Sequence, residues 1–166
     1  MNENQFNKLK ETLLTNFPEA VLASDFTYQF QAFTIKTDNV YDVLAFLKND
    51  EELNFHFLTD LTGFQTADEK QLGVIYHLHN MPKNIRVRIR TYFDINKAEI
   101  PSVTSLWPGA NWMERETFDF YGVKFKGHPD LRRILNVDEM DIFPLRKEYP
   151  LEDQTRDDKN DKMFGR

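Results

Sequence analysis

Four sets of residues carry side chains able to do chemistry. Glu114 and Glu116 flank Arg115 in "WMERETFDFYGVKFKGHPDLRRIL", residues 112–135, and two nearby carboxylates are the equipment of general acid/base catalysis. His77 and His79 stand two apart in "VIYHLHN", the spacing that sets both imidazoles on one face of a strand, as a metal pair requires. His128 sits between Gly127 and Pro129, where it is a candidate base. Around it, Lys124, Lys126, Arg132 and Arg133 make a basic segment suited to phosphate or to the bidentate ion pairs of protein interfaces.

Placement decides among these chemistries. At about 100° per residue, a helix from Ala110 gathers Met113, Thr117, Phe120 and Tyr121 with Ala110 on one side and leaves Arg115 and Asp119 opposite, as an i, i+4 pair. Glu114 and Glu116 then fall on the two flanks of the stripe, roughly 160° apart, so they do not converge on one substrate atom. Trp112 and Phe118 project off the stripe on opposite sides, which predicts a helix covered on more than one side, by its own tail or by another subunit. No Ser-His-Asp or Cys-His arrangement surrounds His128, and the basic segment has neither the G-x-G-x-x-G nor the G-x-x-x-x-G-K-[ST] pattern.

For the His pair the register is decisive. In "LGVIYHLHNMPKNIRVRIRTYF", Ile85, Val87 and Ile89 alternate with Arg86, Arg88 and Arg90, the period of a strand with one buried face. A loop over Met81 to Asn84 sets Leu78 against Val87 and Tyr76 against Ile89 on the core side. His79 and His77 then lie opposite Arg86 and Arg88, cationic neighbours that disfavour a divalent ion.

The elements around these residues follow from pattern. Phe6, Leu9, Leu13 and Phe17 predict a first helix ending before Pro18. "FTYQFQAFTIK" reads as a strand. Asp38 is placed to cap a second helix whose stripe is Val40, Val43, Leu44 and Leu47, and "LNFHFLTDLTGF" supplies a further strand. "IPSVTSLWPGA" is a connector, and Gly122 ends the helix that starts near Ala110. Beyond Leu135 no period survives. The chain therefore reads as α+β, a mixed β-sheet with helices packed on it over residues 1–135, followed by an extended tail over 136–166, partner-bound or disordered.

Composition narrows the function. A chain of 166 residues fits one domain and buries roughly 70% of its unfolded surface, and its 15 Phe point to a ring-rich core. The absence of Cys removes disulfides, thiolate cluster ligands and Cys nucleophiles together. The net charge of −6 argues against nonspecific nucleic-acid binding. With no run of 18 apolar residues and no apolar core in "MNENQFNKLKETLLTNF", a soluble, cytoplasmic protein is expected.

The run "ERETFDFYGVKFKGHPDLRRIL" followed by "FPLRKEYPL" closely resembles the signature of the C subunit of the proton-pumping NADH:quinone oxidoreductase, the bacterial complex I. The resemblance extends through "YDVLAFLKNDEELNFHFLTDLTGF", "VIYHLHN" and "PSVTSLWPGANW", and so covers roughly Val40 to Leu151. It implies a soluble subunit of the peripheral arm, on the cytoplasmic side of the membrane, that holds no flavin and no cluster. In that family the FMN and iron-sulfur clusters belong to partner subunits, and electrons pass from NADH through them to quinone while protons are pumped. The family's C subunit packs against the D subunit, which helps form the quinone pocket, and the resemblance extends the expected contacts to the cluster-bearing B and I subunits.

Carried onto this sequence, the family's ERE is Glu114, Arg115 and Glu116, its following acid is Asp119, and its GHPDLRRIL is Gly127 to Leu135 without substitution. A later element usually reads Gly-His-Pro-Leu-Arg-Lys-Asp, and here Phe143 stands in place of His, so a ring contact is expected there and no imidazole chemistry. The expected docking surface is Trp112, Glu114, Arg115, Glu116, Phe118 and Asp119 on the helix, His128, Pro129, Arg132 and Arg133 at the turn, and Phe143, Arg146 and Lys147 in the tail. Two alternatives stand beside it. One is the same docking role in a related complex fed by ferredoxin, reduced F420 or hydrogen. The other is an independent enzyme using His128, Glu114 or Glu116 as acid/base.

Overall fold

The computed structural model describes residues 3–27 and 30–149. Helix α1 (Glu3–Asn16) buries Phe6, Leu9 and Leu13 and ends ahead of Pro18, because a residue before proline is driven out of the helical region. The stretch expected as one strand crosses two, β1 (Val21–Thr27) and β2 (Phe30–Ile35), paired antiparallel with Thr27 opposite Phe30. The sequence between the two strands has no Gly or Pro, the residues on which a strand break is ordinarily recognised.

Helix α2 (Val40–Asn49) buries Val40, Val43, Leu44 and Leu47, as its stripe requires. A 3-10 turn over Thr37–Asn39 precedes it, so the cap position falls to Asn39 instead of Asp38, and no side chain caps it. Then β3 (Phe57–Gln65), β4 (Gln71–Asn80) and β5 (Ile85–Asp94) run as an antiparallel meander. The hairpin has the expected register: Leu78 faces Val87, Tyr76 faces Ile89, His79 faces Arg86 and His77 faces Arg88.

The sheet order is β1-β2-β5-β4-β3, with β2 and β5 parallel and every other neighbour antiparallel. Phe33, Tyr76, Leu78, Val87 and Ile89 join the apolar residues of α1 and α2 in one core, and burying each such side chain contributes about 1.5–3 kcal/mol. The connector after β5 is more ordered than its punctuation suggests, since β6 (Glu99–Pro101) pairs in parallel with β7 (Lys124–Lys126) as a second, two-stranded sheet.

Between β6 and β7 lies α3 (Ala110–Tyr121). It rests on β3 at Gly63, where a Cβ would come within 2.8 Å of Thr117 Cγ2 and Tyr121 Cδ2, so glycine is what permits the approach. Gly122 ends the helix at φ +74° with its N–H donated to the Phe118 carbonyl. Residues 136–149 contain no helix or strand and fold back along α3: the Leu145 N–H donates to the Phe120 carbonyl (3.2 Å) and Arg146 Nε to the Tyr121 carbonyl (2.8 Å). The rest of the tail lies outside the described residues. Among the described residues no helix is long and apolar enough to cross a membrane.

Candidate functional site

Two carboxylates of α3, Glu114 and Asp119, are fully buried. Glu114 accepts hydrogen bonds from Ser102 Oγ and from the Val103 N–H, each at 2.7 Å, and thereby fastens α3 to the connector. Burial pushes its carboxyl up to about 7 against the pull of those two donors. The phenol of Tyr76 is wholly buried, without a hydrogen-bond partner among the described residues, and its pKa is raised well above 10 by burial and then by the charge of Glu114.

Asp119 is the hub of the motif. Its Oδ1 takes the Arg133 guanidinium (2.7 Å) and the Asn136 side-chain amide (3.0 Å), and its Oδ2 takes the N–H groups of Ile134 (3.1 Å), Leu135 (2.8 Å) and Asn136 (2.9 Å). Burial alone pushes the carboxyl upward, yet the Asn136 N–H, the Arg133 guanidinium, the Leu135 N–H and the Asn136 amide outweigh it and hold Asp119 well below the ordinary carboxylate range. Arg133 also binds the carbonyls of Asp119, Met140 and Ile142, so one guanidinium ties α3 to both arms of the loop that follows. Arg115 works from the neighbouring turn, donating to the carbonyls of Arg132 (3.1 Å) and Arg133 (2.8 Å).

The turn and the tail close the arrangement. The Asp130 N–H donates to His128 Nδ1 (3.0 Å), which leaves Nε2 to carry the proton and donate it to the Asn111 carbonyl (3.1 Å). Phe143 packs edge-on against Phe118 (6.2 Å) with the guanidinium groups of Arg133 and Arg146 at 5.3 and 4.6 Å from its ring centre, a double cation–π contact. Lys147 donates its backbone N–H to Gln65 Oε1 (2.7 Å). Residues 128–147 are thus a strap laced onto α3 by the motif's own polar groups.

These contacts correct the placement expected for several residues. Glu114, Asp119 and Arg133 do not face outward, because the chain's own donors and carbonyls consume them. Asp119 pairs with Arg133 and not with Arg115, and the buried positions of the helix are Ala110, Glu114, Thr117 and Asp119, whereas Met113, Phe120 and Tyr121 of the expected stripe are only half-buried. Arg115, Phe118, His128, Phe143 and Arg146 are partly buried and engaged within the chain. What stands exposed is Trp112 (60%), Glu116, Pro129, Arg132 and Lys147, joined by Leu135 (65%) and Val137 (63%), which the sequence pattern does not single out. Glu114 and Glu116 do not meet, one being inside the protein and the other at its surface.

Ser102, the Val103 N–H and Asn136 complete the network, and spacing alone has no signal for them, since they reach α3 from distant segments. His77 is half-buried, with its pKa lowered by burial and then by Arg88, Asp60 opposing. Among the described residues no three His, Cys, Asp or Glu side chains are grouped to hold a metal.

Residues 33–155 match the family described as respiratory-chain NADH dehydrogenase, 30 kDa subunit. The C subunit of NADH-quinone oxidoreductase from Roseiflexus sp. (strain RS-1) is 39% identical over 143 residues, covering 85% of this chain and 82% of the relative. That of Hyphomonas neptunium is 38% identical over 152 residues, with 91% and 75% covered. Among solved structures, a chain of the membrane-bound sulfane sulfur reductase, an archaeal respiratory membrane complex, superposes with a TM-score of 0.74 at 26% identity, covering 89% of this chain and 86% of that one. A trypsin-resistant fragment (1–134) of Nqo5 gives 0.63 at 25%, covering 75% and 97%.

Proposed function

Because the chain belongs to the family of respiratory-chain NADH dehydrogenase 30 kDa subunits, we propose that it is a cofactor-free assembly subunit in the peripheral arm of an NADH-quinone oxidoreductase, docked on the D subunit. In this reading the B and I subunits are further neighbours, the assembled enzyme lies against the cytoplasmic side of the membrane, and FMN and clusters in other chains carry electrons from NADH to quinone with proton translocation. The chain holds the quinone-site subunit and the cluster-bearing subunits in register.

The observation that carries the reading is the division of the α3 motif into an inner and an outer set. The inner set, Glu114, Asp119 and Arg133, is saturated inside the chain, which leaves its acids no access to a substrate proton and counts against an independent acid/base enzyme. The outer set, Trp112, Glu116, Arg132, Leu135 and Val137, mixes a large ring, apolar side chains and both charges, the composition of a partner-facing patch with a polar rim. The absence of Cys agrees with clusters residing elsewhere.

Affinity purification of the tagged chain from native membranes tests the proposal. Recovery with the other oxidoreductase subunits is the expected result, and recovery of the chain alone overturns it. Trp112→Ala is expected to keep the fold within about 0.5 kcal/mol, as for other exposed positions, and to reduce the co-purified subunits. The similarity to a chain of an archaeal respiratory membrane complex favours a second reading, the same role in a complex with another electron donor. Oxidation of NADH by the purified complex, against oxidation of reduced ferredoxin, F420 or hydrogen, separates the two.

A further inference from the structure

A groove of ≈ 520 Å³ lies between the 3-10 turn Ile95–Lys97, the start of β7 and the far end of the strap. Three cations reach it from three separate segments: Lys97 from the turn, Lys124 from β7 and Arg146 from the strap. The fold builds this convergence. Parallel pairing of β6 with β7 sets Lys124 beside Glu99, and the bare Gly122, where a Cβ would strike Phe143 and Arg146 at 2.6–2.7 Å, lets the strap settle low enough to bring its arginine to the rim.

Glu99 also lines the groove, beside Lys124, and offsets part of its charge, but its carboxylate leans first on a cation outside the lining. Glu99 gives its carboxylate to Lys126 at 2.7 Å, and Glu148 approaches Arg146 only at 3.7 Å. Lys97 and Lys124 are exposed and make no side-chain hydrogen bond or ion pair among the described residues. A chain with net charge −6 therefore presents a concave site beside its strap in which three cations outnumber the one lining acid, Glu99, with the Phe143 ring and Ile95 as apolar lining. The volume falls within the range of pockets that enclose several heavy-atom groups, and clustered like charges in a cleft favour an oppositely charged occupant.

We propose that this groove receives an acidic segment of a neighbouring subunit, whose carboxylates settle on Lys97 and Lys124. The inference rests on the assembly role proposed above and adds to it a second contact, away from the Trp112 patch, with a stated partner chemistry.

Zero-length carbodiimide coupling of the purified complex, followed by mass spectrometry of peptides containing Lys97 or Lys124, tests it directly, because that reagent joins a lysine only to a carboxylate already in contact. Amide links from Lys97 or Lys124 to Asp or Glu of another subunit are expected. The double reversal Lys97→Glu with Lys124→Glu is expected to lower the yield of co-purified subunits roughly tenfold, the scale of lost charge contacts at interfaces, whereas Lys36→Glu, also at an exposed position, leaves it unchanged. Links confined to this chain's own Glu152, Asp153, Asp157, Asp158 or Asp161, or no links with undiminished assembly of the double variant, overturn this inference and leave the assembly role standing. A chain that co-purifies with no other subunit overturns the assembly role, and this inference with it.

Discussion

Replacing Asp119 by Asn is expected to release the strap from α3 while the five-stranded sheet stays folded. The carboxylate receives two donors on Oδ1 and three on Oδ2, and an amide offers one oxygen in place of two. Whichever way the amide turns, two or three donors face an NH₂ group. A buried donor left unpaired costs about 1–3 kcal/mol, and breaking one side of a buried ion pair costs about 3–5 kcal/mol. The strap's apolar hold is small by comparison, chiefly Phe143 against Phe118 and the partly buried Leu131. Local detachment therefore relieves the strain at lower cost than unfolding a sheet whose core lies elsewhere. Hydrogen exchange is the assay: the amides of Ile134, Leu135 and Asn136 should lose at least about a hundredfold in protection, with far-UV circular dichroism nearly unchanged. Because the folded-state pKa of Asp119 is depressed, the wild-type anchoring is complete above the usual Asp value of about 4 and is lost only as pH falls through the lower folded value. Wild-type protection of those three amides in Asp119→Asn would show that the hub lies elsewhere and refute the reasoning.

Glu114 should behave in the opposite sense, since its folded pKa of about 7 stands above the unfolded value of 4.5. Its favourable contribution is complete below pH 4.5 and fades as pH rises through 7, a loss of about 3 kcal/mol, so Glu114→Gln should flatten the stability profile over that window in urea titrations. Arg132→Glu is expected to leave the isolated chain folded and weaken only its assembly, while Arg133→Glu frees the strap, because their side chains are 68% and 9% exposed. Limited proteolysis between residues 133 and 142 distinguishes the two variants. Gly122→Ala places a Cβ against Phe143 and Arg146 at φ +74° and should cost about 1–2 kcal/mol in backbone strain alone, read as a fall of several degrees in Tm.

The residues show why some of this was legible in the sequence. Period-2 alternation in β4 and β5 fixed the hairpin to the residue, and Gly122 marked the end of α3, because both signals are local. The sequence between β1 and β2 contains no Gly or Pro, and β6 is three residues long, so neither boundary leaves a periodic trace. On α3 a stripe drawn from apolarity alone excludes Glu114 and Asp119, whose burial depends on donors contributed by Ser102, Val103 and residues 133–136. These two carboxylates enter the core because distant chain satisfies them, and that information is tertiary. For the same reason Arg132 and Arg133, adjacent and identical in type, take opposite fates.

The one parallel pairing in the main sheet has a consequence for how the chain is made. Gln31 of β2 lies beside Val87 of β5, so β2 leaves the ribosome about 55 residues ahead of its partner, an interval of several seconds at ordinary synthesis rates. During that time α1 and the β1–β2 hairpin have no sheet to join, and Phe33, Ile35 and the apolar face of α1 stay uncovered. The meander β3–β4–β5, closed by short turns, is the natural nucleus, and the N-terminal third docks onto it as a late step. Nascent chains of this protein should therefore engage holding chaperones through residues 6–35 until Asp94 has emerged.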